Sequence, residues 1–212
     1  MIKEILERSD YQSFDFLGDI KKGSDSSKKF ELSKLLEYDL LGKSCLDVGC
    51  NAGYFLFQLL EKKPMDLIGI DLGEGYISIA KDLNKEHFKS KICFIFGDFF
   101  SWNSQIKFDL IFCFSTFHYF VGKQKEFLNR CFNILSDKGI LLLEVEEYPN
   151  NDVSEINHDP RPYDKDKIEL DYPNHLQMKE FVVDKFVILD RWESVKQRGS
   201  AYDRYFYKLQ KI

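Results

Sequence analysis

A chain of 212 residues has room for one well-buried core and too little for two ordinary domains. Its 30 basic against 35 acidic side chains leave a net charge of −5, which gives no general attraction to a polyanion, while 44% hydrophobic and 31% charged residues are usual for a soluble globular chain. No apolar run reaches the roughly 18–20 residues of a membrane span, and the opening "MIKEILERSDYQ" has acids where a secretion signal would be apolar.

Residues 1–40 predict two helical stretches separated by the polar segment "KKGSDSSKK". From residue 44 strands and helices alternate: strand "SCLDVGC", helix "AGYFLFQLLEKK", strand "DLIGID", helix "GYISIAKDLNKEHF", strands "KICFIFGD" and "FDLIFCF", helix "KQKEFLNRCFNIL" and strand "GILLLEVEE". These strands are continuous apolar runs, as expected when helices cover both faces of a sheet. The alternation predicts an open, doubly wound α/β sheet, mostly parallel, with right-handed crossovers. Between the last helix and strand, "SDKG" places Gly139 to end the helix and turn the chain. Residues 148–173 show no period and hold four prolines; a connection of that length usually has a function or moves. A helix, "NHLQMKEFVVD", and two strand-like runs, "KFVILDRWESV" and "AYDRYFYKLQKI", close the chain as an antiparallel hairpin around a Gly–Ser turn.

The five cysteines, Cys45, Cys50, Cys93, Cys113 and Cys131, are odd in number and form no CxxC pair, which predicts reduced thiols in a cytoplasmic protein. The chemistry is concentrated in "CLDVGCNAGYF", residues 45–55. Open α/β sheets bind ligands at the carboxyl ends of their strands, so the loop after the first strand is the first place to look. A pyrophosphate loop reads GxGxxG, but here the middle glycine is Asn51 in Gly49-Cys50-Asn51-Ala52-Gly53. The other phosphate loop is imitated by "GKS" at 42–44, yet position 37 is Glu and a strand follows, which excludes it. A tight glycine turn preceded by Asp47 and followed by a helix N-terminus suits a nucleoside with a zwitterionic tail. The acid receives an ammonium group and the helix-end N–H groups receive a carboxylate.

"LDVGCNAGYF" resembles motif I of the class I S-adenosylmethionine-dependent methyltransferases, D/E-x-G-x-G-x-G, with Asn51 in place of the central glycine as in several branches of that superfamily. The resemblance covers residues 40–146 and implies a Rossmann-like, seven-stranded, mostly parallel sheet with an antiparallel C-terminal strand. It also implies S-adenosylmethionine as cofactor, held by Asp47, Gly49, Cys50, Asn51 and Gly53 of the loop. Asp71 and Leu72, after "LIGID", fall where an acid grips both ribose hydroxyls; Asp98 and Phe99, in "FIFGDF", fall at the adenine position; and Phe114 ends the fourth strand beside the transferable methyl. Short pieces are similar to Bin3-type RNA-phosphate methyltransferases and to bacterial enzymes acting on sugars and on wobble uridine, with "YQSFDFLGDI" in the place of an N-terminal lid. One methyltransferase domain, 1–212, is expected: helical lid 1–40, cofactor core 41–146, substrate loop 147–175, closing helix and hairpin 176–212.

For a hydroxyl acceptor a base must remove a proton, and His118 is the candidate, with Tyr119 to orient the acceptor; a helix-start histidine that packs or caps is the bland alternative. No metal is assigned, although Glu144, Glu146, Glu147 and His118 lie near the mouth of the sheet and Glu144 and Glu146 share one side of a strand. Lys21, Lys22, Lys28, Lys29 and Lys34 form the one basic cluster, read as an exposed helix face or as a site for a phosphate. By subtraction a small polar hydroxyl acceptor, such as a sugar or a phosphorylated or nucleotide-linked metabolite, is expected ahead of RNA. A non-catalytic adenosylmethionine-binding module and a small NAD-dependent oxidoreductase are the rivals from other classes. Nothing in the sequence assigns an oligomeric state.

Overall fold

A computed structural model describes residues 2–9, 11–17, 25–147, 157–158, 171–195 and 202–212. Seven strands form one sheet in the order β3-β2-β1-β4-β5-β9-β8, and β6 pairs with β7 in a separate ribbon. The chain divides into two compact units, Met1–Phe108 and Asp109–Ile212.

The first unit holds α1 (Ile2–Glu7), α2 (Ser26–Ser33), β1 (Ser44–Val48), α3 (Tyr54–Gln58), β2 (Asp66–Asp71), α4 (Glu74–Leu83) and β3 (Cys93–Phe96). All five residues of β1 are buried, Asp47 among them. β1, β2 and β3 run parallel, with Asp47 opposite Gly69 and Asp71 opposite Phe96. Gly69 is glycine for a packing reason: a Cβ there would lie 2.6 Å from Leu56 Cδ1 and 2.8 Å from Cys50 Sγ. Two helices are shorter than their apolar patterns predict. α3 tightens into a 3₁₀ turn over Leu59–Lys62, closed by Lys63 at φ 52°. α4 widens into a π turn over Asn84–Phe88, where Asn84 Oδ1 accepts from the Ser90 N–H at 3.0 Å and Phe88 stacks on Phe57 at 4.1 Å. α2 begins inside the segment read as a polar linker, because Asp25 accepts from the Lys28 N–H and caps the helix.

The basic cluster is not one exposed face. Lys29 is 5% exposed, Lys28 pairs with Glu31, and Lys34 is the left-handed helix cap; Lys21 and Lys22 lie outside the described residues.

The second unit follows β4 (Phe108–Cys113) with α5 (Gln124–Ile134), β5 (Leu135–Glu147), β6 (Asn157–His158), β7 (Asp171–Tyr172), α6 (His175–Val182), β8 (Phe186–Glu193) and β9 (Asp203–Lys211). β9 lies antiparallel between β5 and β8, from Ile140 opposite Gln210 to Glu147 opposite Asp203, as the closing hairpin predicts. Leu141, Leu143, Val145, Phe206 and Leu209 are fully buried in its core. The turn expected at Gly139 is made differently: α5 passes directly into β5 and the left-handed residue is Lys138, at φ 59°. Most of the expected substrate loop and the Gly–Ser turn lie outside the described residues. No described helix is long and apolar enough to cross a membrane.

Candidate active site

Between β1 and α3 the backbone takes three left-handed residues in alternation, Gly49 (φ 80°), Asn51 (φ 50°) and Gly53 (φ 87°). Asparagine is one of the few residues that tolerates this region, which accounts for the departure from glycine at the centre of the motif. Gly53 is constrained twice, since a Cβ would also lie 2.7 Å from the Phe94 ring. The loop is held from β2: the Gly49 N–H donates to the Ile70 carbonyl at 2.8 Å and the Asn51 N–H to Asp71 Oδ2 at 2.8 Å. Asp71 Oδ1 accepts from the Gly73 N–H at 2.7 Å, so this acid organises both strand ends.

Asp47 is 1% exposed, and its Oδ2 has no hydrogen-bond partner among the described residues. Burial, and then the charge of Asp71, hold its proton well above the usual carboxylate range. A buried carboxyl in that state is costly to ionise unless a cation arrives to meet it. Asp71 is raised by burial as well, against the two N–H donors it accepts from. Cys50 is buried, and its thiol is pushed well up by burial and by both acids, so its side chain packs rather than reacts. Leu72 is 67% exposed just past Asp71, whereas Phe99 is buried edge-on to Phe100 and Asp98 accepts from the Phe100 N–H at 3.0 Å. The loop, Asp71 and Leu72 therefore come together at the ends of β1 and β2, with Phe96 exposed on the neighbouring β3.

In the second unit, Phe114 is packed between Phe112 and Phe206. Ser115, at φ 51°, turns the chain out of β4, and its N–H and hydroxyl both donate to Glu144, at 2.8 and 3.0 Å. His118 is 6% exposed on a 3₁₀ turn, Phe117–Tyr119; its Nδ1 lies 4.0 Å from Glu146 Oε1, and its ring is parallel to Tyr172, which in turn stacks on Tyr202 at 3.9 Å. Tyr119 is 44% exposed beside it. The three glutamates do not stand solvated at the mouth of the sheet. Glu144 accepts from Ser194 as well, Glu146 pairs with Arg204, and Glu147 binds Arg191 through both oxygens and accepts from the Tyr207 hydroxyl. That hydroxyl also meets His175 Nδ1 at 2.7 Å. Among the described residues no cluster of three metal-binding side chains forms; β9 and β8 supply guanidinium groups to these carboxylates instead.

Ser115, Arg204, Tyr172 and Gln12 were not singled out from the sequence. Only Ser115, a small residue directly after a strand-end aromatic, carried a local signal.

A parallel β1–β2–β3 array with a glycine-type loop, joined in one sheet to an antiparallel β5–β9–β8 edge, is the fold of the S-adenosylmethionine-dependent methyltransferases. One such enzyme, from Clostridium acetobutylicum, superposes with a TM-score of 0.68 at 19% identity, covering 89% of this chain and 92% of its own. The model of the methyltransferase domain family matches residues 41–190, and the chain belongs to that family. In sequence it is similar to the tRNA U34 carboxymethyltransferase of Sulfurovum sp. (strain NBC37-1), 38% identical over 110 residues, 51% of this chain and 36% of that protein. It is also similar to the enzyme of that name from Helicobacter pylori (strain J99), 36% identical over 126 residues, 57% of this chain and 47% of that protein. The chain thus spans less than half the length of these two relatives.

Proposed function

We propose that the chain is an S-adenosylmethionine-dependent transferase that alkylates a nucleobase in RNA. When bound, the cofactor supplies a methyl carbon made electrophilic by its sulfonium. The residues present fit it: the buried Oδ2 of Asp47, without a hydrogen-bond partner among the described residues, suits the ammonium group, and Asp71 has lone pairs left for the ribose hydroxyls. Leu72 offers an exposed apolar surface for the adenine, with Asp98 to accept from its amino group and Phe99 behind that turn. In the second unit, His118 takes the proton that the acceptor loses, steadied by Glu146, and Tyr119 orients the acceptor.

The acceptor reading rests on one observation, the parallel rings of His118, Tyr172 and Tyr202 with Tyr119 exposed at their side. An exposed aromatic ring can stack a base; here that ring is Tyr119, backed by the buried rings of His118 and Tyr172, and the names of the relatives accord with a uridine acceptor. This puts RNA ahead of the small hydroxyl compound that the sequence alone favoured. Five free cysteines, four of them buried, accord with a cytoplasmic setting, and we take residues 1–212 to act as one methyltransferase domain.

The test is transfer of label from methyl-labelled S-adenosylmethionine to total tRNA, to nucleotide-sugars and to phosphorylated metabolites, with the product identified by mass. Label in a tRNA nucleoside is expected. Label confined to a sugar or metabolite hydroxyl would return the small-acceptor reading to first place.

A further inference from the structure

The N-terminal segment touches the glycine loop through one side chain. Gln12 is 4% exposed, and its carboxamide is used at both ends: Nε2 donates to the Cys50 carbonyl at 3.4 Å, and Oε1 accepts from the Tyr54 N–H at 3.3 Å. Tyr54 is the first residue of α3, and the residue before it, Gly53, has no side chain to cap the helix. Gln12 therefore does in trans what a capping side chain does locally: it satisfies one of the orphan N–H groups of the first turn. At the same time it fixes a carbonyl in the middle of a loop built from three left-handed residues.

The rest of the segment is shaped to keep Gln12 there. Phe14 is fully buried with its ring edge-on to Tyr54 at 5.6 Å, Phe16 meets the same ring at 5.2 Å, and the Tyr54 hydroxyl donates to Asp15 Oδ1 at 3.0 Å. Ser13 is tied in turn to α2 by its N–H, which donates to Ser26 Oγ at 3.2 Å. The loop is thus gripped from two directions, by Asp71 at Asn51 and by Gln12 at Cys50 and Tyr54.

We propose that Gln12 is a positioning residue for the cofactor loop and that residues 11–17 form a clasp through which the N-terminal segment sets cofactor affinity. The proposal rests on the loop being the cofactor site, as above. Gln12 need not touch the cofactor: by holding the loop in its binding conformation before the ligand arrives, it removes an ordering cost that would otherwise weaken binding.

The test is calorimetric binding of S-adenosylhomocysteine to the full chain and to Gln12→Ala and Gln12→Glu, with the melting temperature of each ligand-free protein and amide hydrogen exchange at Tyr54. Gln12→Ala should raise Kd about 3- to 10-fold and speed exchange at Tyr54, with kcat at saturating cofactor unchanged. Gln12→Glu keeps an acceptor for the Tyr54 N–H but has no donor for the Cys50 carbonyl, so it should retain slow exchange at Tyr54 and lose part of the affinity. If the original protein binds and both variants bind equally well, the clasp is wrong and the cofactor reading stands. If the original protein binds no S-adenosylhomocysteine, both fall. A Kd that rises only in proportion to lost folding, with Gln12→Glu no better than Gln12→Ala at Tyr54, assigns Gln12 to stability alone and overturns the proposal.

Discussion

Asp71 Oδ2 accepts the backbone N–H of Asn51 at 2.8 Å, so the acid that closes β2 holds the centre of the loop that closes β1. One carboxylate thereby serves as ligand candidate and as scaffold, since its other oxygen fastens Gly73 ahead of α4.

Asp71→Ala removes both functions at once. S-adenosylhomocysteine affinity should fall by about 1–3 kcal/mol, the range for losing hydrogen bonds to a charged group. Calorimetry at fixed pH measures this, and unchanged affinity would remove Asp71 from the site.

Asn51 gives a backbone test. Both Asn51→Gly and Asn51→Ala lose the Asn51 Oδ1 that accepts from the Ala52 N–H at 2.7 Å, so the comparison isolates the backbone. Asn51→Ala should be about 1 kcal/mol less stable than Asn51→Gly, because only glycine takes φ 50° freely. Denaturant melts of the two variants decide it; equal stability would mean that the loop relaxes out of this conformation.

How legible this was in the sequence varies residue by residue. The loop, Asp47 and Asp71 were readable because a strand, a turn and a helix N-terminus follow one another within a dozen residues, and each leaves a local mark. The β8–β9 hairpin was readable from two strand-like runs around a Gly–Ser turn, but its pairing with the distant β5 was not marked locally. Gln12 was not: it lies 38 residues from Cys50 and sits in no periodic pattern. Arg204 and Ser115 are 89 residues apart, joined only because β9 folds back along β5. The lysine cluster misled because spacing in sequence says nothing of whether a methylene stem such as that of Lys29 is buried.

His118→Ala should lower turnover roughly 10²- to 10⁴-fold with cofactor affinity nearly intact, as removal of a general base does. Near-normal turnover would make His118 a packing residue of the Tyr172 stack.

Glu146→Ala leaves Arg204 as a guanidinium 11% exposed and without the Glu146 carboxylate it pairs with. Removing one partner of a buried pair costs on the order of 3–5 kcal/mol, and Arg204→Met combined with Glu146→Met should recover much of it. Equilibrium denaturation of the single and double variants measures this; a double variant as unstable as Glu146→Ala would show that packing, and not the orphaned charge, sets the cost.

Asp47 is where fold and function pull apart. Its proton is held above the usual carboxylate range by burial and by Asp71, so the protonated form favours the ligand-free fold. That contribution is complete below the unfolded carboxylate pKa and is lost as pH rises through the raised native value. Asp47→Asn should therefore stabilise the ligand-free protein at neutral pH while weakening the cofactor, whose ammonium needs the carboxylate. The most direct measurement is the number of protons exchanged when S-adenosylhomocysteine binds, from calorimetry in two buffers of different ionisation enthalpy. Starting from a pH where Asp47 is still protonated, binding should release a proton, tighten as pH rises through the raised pKa, and lose both properties in Asp47→Asn. Binding with no proton release, equally tight in Asp47→Asn, would contradict the assignment of Asp47 and of the loop behind it as the cofactor site.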